Sequence, residues 1–76
     1  MHQSQVLAVA AQNNRKRLVK AAVRAGVRLD ARNEKGNTAA HFACAYGYED
    51  ISEYLVKKGA DPGILNGEGK RPDQGL

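Results

Sequence analysis

Disulfides, tryptophan and long apolar runs are all missing from this sequence, and each absence narrows what the chain can be. A single cysteine, Cys44, allows no internal disulfide, which suits a reducing compartment. There is no tryptophan, and aromatics make up 5% of residues. The core must then come from Ala, Val, Leu and Ile, and an alanine-rich, thin core of that kind favours helices. No run approaches the ~18–20 apolar residues that a membrane span needs. The opening stretch MHQSQVLAVAAQNNRKR places its cations after the apolar patch, whereas a secretory leader needs them before it. The expected location is therefore intracellular, cytoplasmic or nuclear. Metal ligands are scarce too. Only His2, His41 and Cys44 are candidates, and zinc wants about four ligands at a recognisable spacing. Gly67-Glu68-Gly69-Lys70 has neither the spacing nor the following Ser/Thr of a phosphate-binding loop, and no strand precedes it. No metal or cofactor is expected. At 76 residues the chain is one domain at most, too short to enclose a large active-site cavity.

What is present is a repeat. Gly26 and Gly59 lie 33 residues apart, as do Gly36 and Gly69, Ala10 and Ala43, Val23 and Val56, and Asn33 and Asn66. The same offset pairs Leu18 with Ile51 and Arg24 with Lys57. The matches fall at apolar, turn and glycine positions, where one repeated backbone would need them. In the better copy, the Thr38 hydroxyl can cap a helix over residues 39–45, whose alanines let another backbone approach closely. Gly47 ends it by tolerating the left-handed conformation. Glu49 and Asp50 favour the start of a second helix and Lys57 and Lys58 its end. Ile51, Leu55 and Val56 give that helix a one-sided apolar stripe. Gly59 stops it, and Asp61, Pro62 and Gly63 form a turn. The first copy reads likewise: a helix over 6–12, a turn at Asn13–Asn14, a second helix over 15–25 and a loop over 30–36.

This unit, G-N-T-A-A-H-F-A-C-A-Y-G-Y-E-D-I-S-E-Y-L-V-K-K-G-A-D over residues 36–61, resembles an ankyrin repeat. The matching positions are Gly36, Thr38, His41, Ala43, Gly47, Ile51, Leu55, Gly59, Ala60 and Asp61. Ala39 and Ala40 stand where the family has Pro and Leu. In the first copy Ala8 replaces the histidine and Asn14 the turn glycine, as in an N-terminal cap. Arg71 replaces the threonine in a third, begun copy. The resemblance implies an all-α solenoid of helix-turn-helix units with loop or β-hairpin connections. Its expected parts are a capping-like repeat at about 3–35, a well-matched one at 36–68 and a truncated start at 69–76. It also implies protein–protein interaction without chemistry of its own. Contacts are expected at the loop tips Glu34, Lys35, Asn37, Glu68 and Lys70, at the first-helix positions Gln12, Asn13, Ala45 and Tyr46, and at Leu65 beside the second loop. Such stacks usually need ~3 or more units, because each buries its face only against neighbours. The open end beyond residues 51–56 should therefore expose apolar surface, as in a piece of a longer array or an assembly subunit whose end a partner covers.

Two features invite other readings. His41 and Cys44, three apart on a helix, could touch as a nucleophile pair. Catalysis would also need an orienting group, a cleft and an oxyanion site, and none is evident. The structural reading makes Cys44 a small packing residue and His41 a tie to Thr38 and neighbouring backbone. The second feature is charge. Residues 1–33 carry seven Lys/Arg against one acid, and residues 34–76 five against seven. Arg17, Lys20 and Arg24 recur at i, i+3, i+7 and share a helix face. This is a solvated outer face, or a patch for an acidic protein or a phosphate backbone, the last making the chain a nucleic-acid-associated factor that uses its basic N-terminal half. Against nucleic acid as a partner, residues 1–41 hold no aromatic side chain to stack on bases.

Overall fold

The computed structural model describes residues 3–76. His2, set aside above as a metal ligand, lies outside the described residues. Four helices follow one another: α1 (Gln3–Gln12), α2 (Lys16–Arg24), α3 (Ala39–Ala45) and α4 (Glu49–Lys57), then a single 3-10 turn, Pro72–Gln74. Among the described residues there is no strand, and the connections are loops closed by tight turns.

Small residues decide the packing. Ala10, Ala11, Ala39, Ala40 and Ala43 are at most 2% exposed, and α1 lies against α3 through them. Each outer helix then buries one stripe: Val19 and Ala22 on α2, Ile51 and Leu55 on α4. Burying a side chain such as Leu55 stabilises by about 1.5–3 kcal/mol. The 3-10 turn seats buried Pro72 beside α3.

The helix-helix turns are equivalent in backbone and different in sequence. Gly47 has φ 73°, and Asn14, in the same place one unit earlier, has φ 56°. Asparagine is one of the few other residues that enters this region readily.

The loops repeat more closely still. The Asn33 side-chain oxygen accepts from the N–H groups of Lys35 and Asn37, both at 3.0 Å. Asn66 does the same with Glu68 at 2.9 Å and Lys70 at 3.0 Å. The two loops are stitched together where the Gly67 N–H donates to the Lys35 carbonyl at 2.8 Å. That approach needs Gly36: at its φ of +79° an added Cβ would sit 2.6 Å from the Gly67 nitrogen.

Candidate functional site

The concave side carries a groove of about 930 Å³ between the inner helices and the two loops. Its apolar wall comes from Ala8 and Val9 on α1 and from Phe42 and Tyr46, with the loop residues Asn33, Glu34, Lys35, Asn66, Gly67 and Glu68 opposite. Phe42 and Tyr46 sit one helical turn apart, so their rings stack at 6.2 Å between centroids. Tyr48 extends the row, tilted, at 5.8 Å from Tyr46. Tyr46 caps α3 and is 45% exposed, and Val9 is 48% exposed. Both offer apolar area to an incoming chain at little ordering cost.

The expected contact residues divide. Gln12, Glu34, Lys35, Asn37, Tyr46 and Glu68 line the groove. Asn13 and Ala45 are exposed beyond it at the ends of α1 and α3, and Leu65 is exposed on the loop. The Lys70 ammonium turns to Glu68 at 3.5 Å. Asn37 is buried: its side-chain oxygen accepts from the Asn66 amide at 2.8 Å, so it braces the loops beneath the groove surface. Val9 and Phe42 were not anticipated. Their 33-residue spacing was available as a signal, because both stand at the position just past the histidine site.

His41 is fully buried and both ring nitrogens are occupied. Nδ1 accepts from the Thr38 N–H at 3.1 Å and lies 2.9 Å from the Thr38 hydroxyl. Nε2 lies 2.9 Å from the Lys70 carbonyl, which can only accept, so Nε2 carries the proton. The Thr38 hydroxyl in turn accepts from the His41 N–H at 3.3 Å. His41 thus closes the start of α3 and fastens it to the loop 29 residues on. Cys44 is half-buried rather than a sealed core residue, and its sulfur meets the Ser52 hydroxyl at 3.1 Å. The two side chains make no pair.

Arg17, Lys20 and Arg24 lie together on the exposed side of α2. Beside them a furrow of about 400 Å³ separates α2 from α4. Lys16 pairs with Asp50 across it, and the hydrogen bond from Lys16, helped by its charge, holds the Asp50 carboxyl below its ordinary range. The Lys20 and Lys58 ammoniums each lie 5.7 Å from the Tyr54 ring centroid. Among the described residues no cluster of three or more His, Cys, Asp or Glu could hold a metal. No described helix is long and apolar enough to cross a membrane.

Comparison with known proteins fits this geometry. The family model "Ankyrin repeats (3 copies)" matches residues 2–66. The chain is 43% identical over 54 residues to human protein phosphatase 1 regulatory subunit 27, covering 71% of this chain and 35% of that protein. It is 39% identical over 59 residues to human ankyrin repeat domain-containing protein 40, covering 76% and 16%. It is 36% identical over 53 residues to the eye-specific diacylglycerol kinase of Drosophila melanogaster, covering 70% and 4%. The chain spans about a third of the length of the first relative and far less of the others. The chain belongs to the ankyrin-repeat family, whose repeats are in general protein–protein interaction modules.

Proposed function

We propose that this chain is a non-catalytic binding module that takes a protein segment into its concave groove. The observation that carries the reading is the stacked pair Phe42–Tyr46, with Tyr46 and Val9 exposed, facing charged loop tips across an open groove. A rigid wall of this kind costs the protein little entropy when a partner docks. The proposed contact set is Gln12, Asn13, Glu34, Lys35, Ala45, Tyr46, Leu65, Glu68 and Lys70, with Asn37 as their brace. The division into repeats at about 3–35, 36–68 and 69–76 belongs to the same reading, as does work inside the cell. Val56, at 44% exposure, favours a second role in which a partner in a larger assembly would cover that side of α4.

A relative named as a protein phosphatase 1 regulatory subunit makes that phosphatase's catalytic subunit the first partner to try. Affinity is measured by titration calorimetry for the parent chain and for a Tyr46→Ala, Lys35→Ala double variant. The expected loss is about tenfold or more, since aromatic anchors carry most interface energy. Unchanged binding by the double variant would show that the groove is not the contact surface.

A further inference from the structure

The outer side of α2 carries two parallel stripes of the same spacing. Arg17, Lys20 and Arg24 form one, and Leu18, Ala21 and Ala25 form the other, all exposed. Among the described residues, none of the three cations in the first stripe belongs to an ion pair. Leu18 is 47% exposed on a helix whose neighbouring Val19 is 1% exposed. Leu18 and the two alanines set apolar area beside the cations, which a phosphate-backbone site, held by cations alone, would not use.

The molecule contains the template for what fits there. One repeat on, Arg17, Leu18 and Ala21 correspond to Asp50, Ile51 and Tyr54. Those three are met by α2 itself: Lys16 pairs with Asp50, Val19 lines the furrow with Ile51, and Lys20 lies over Tyr54. Carried back one unit, the requirement changes sign at the first position and gains room at the third. A helix seated on Leu18 as α2 sits on Ile51 would place an acid against Arg17, an aliphatic three residues later on Leu18, and a bulky apolar side chain next to it in the space above Ala21. Arg24 adds attraction along the rim.

We propose that this outer face of α2 binds an acidic amphipathic helix of another protein, of the pattern Glu-x-x-Leu-Phe, independently of the concave groove. Charge complementarity and the aliphatic seat at Leu18 select this occupant over nucleic acid.

The probe is a fluorescein-labelled synthetic helix about five turns long carrying Glu-x-x-Leu-Phe, with a twin in which Lys replaces each Glu. Fluorescence anisotropy is expected to show binding of the acidic helix only. Arg17→Glu should weaken it about tenfold and restore binding of the lysine twin. Leu18→Ser should weaken it several-fold, and Tyr46→Ala should leave it unchanged. All three side chains are exposed, and circular dichroism checks that each variant folds. Arg24→Glu replaces Arg17→Glu if the latter unfolds. The proposal is overturned if neither charge reversal alters binding, if the lysine twin binds the parent chain as well, or if Tyr46→Ala removes binding. It is equally overturned if short duplex DNA displaces the helix, or if sedimentation shows that the face is occupied by a second copy of the chain.

Discussion

The two helical units share a backbone and differ in how they hold it. The second is closed by directional polar contacts: Thr38 and His41 bond one another, and His41 reaches the Lys70 carbonyl. At the equivalent place the first has Ala8, 6% exposed, and relies on close alanine packing against α3. Arg71 and Gln74, 33 residues beyond Thr38 and His41, repeat the polar device: the Gln74 side chain accepts from the Arg71 N–H at 2.7 Å. The same spot is thus filled by a histidine or a glutamine that bonds back, or by an alanine that a neighbour covers. The histidine bridges α3 to the next loop, whereas Ala8 is held by α3 packing over it.

Substitutions can break that contrast, and His41→Ala should have the largest effect. It leaves the buried Thr38 N–H without a partner, strips the Lys70 carbonyl of one of its two donors (the Asn66 N–H remains, at 2.9 Å) and opens a cavity, together about 3 kcal/mol. Ala8→Gly, the mildest disturbance of the corresponding site, should cost about 1 kcal/mol by helix propensity. Urea unfolding of the two variants measures the difference, and equal costs would mean that the tie contributes nothing.

The helix-helix turns come next. Gly47→Ala and Asn14→Ala should each cost about 1 kcal/mol by forcing alanine into the left-handed region, and Asn14→Gly should be neutral to within about half of that. A tolerated Asn14→Ala would show that the first turn is not held as the second is.

The smallest effect concerns Asp50, whose counterpart Arg17 has no carboxyl to titrate. The Asp50 carboxyl is held below its ordinary 3.8, first by the hydrogen bond from Lys16 and then by its charge. A lowered folded-state value contributes stability that is present above the unfolded value and is lost as pH falls through the folded one. The pair is exposed, so the contribution is minor. Carboxyl titration by NMR should give a lower midpoint for Asp50 in the parent chain than in Lys16→Ala, and matching midpoints would remove the pair from the account.

Much of this organisation is written in the period of the sequence. The alanines and Thr38 mark α3 to the residue, and glycines mark both helix-helix and loop turns. Helix α1 begins earlier than its apolar residues suggest, at Gln3, because polar residues extend a helix without announcing it. Asn37 reads as a tip residue and lies inward, since a short amide is as suited to bridging two loops as to meeting a partner. The matched Asn33 and Asn66 are visible as identities, but their shared role, one oxygen taking two backbone N–H groups, emerges only when the loop is closed. Arg17, Lys20 and Arg24 are legible as a face. Leu18 acquires meaning only when its counterpart Ile51 is found buried.

The stitched loops have a mechanical consequence. Along that edge successive units are joined by short directional bonds, from Gly67 to the Lys35 carbonyl, from the Asp61 N–H to Asp30 and from Arg32 to the Leu65 carbonyl. Between the outer helices the links are an exposed ion pair, the Lys20 ammonium over the Tyr54 ring, and non-directional apolar contact. Hydrogen bonds lose their strength within a few tenths of an ångström, while apolar contact gives way more gradually. Under load the loop edge behaves as an inextensible seam and the helical side as the compliant leaf of a hinge. Stretching the stack should therefore fan the outer helices apart before it shears the loops, so that the groove widens without losing its register.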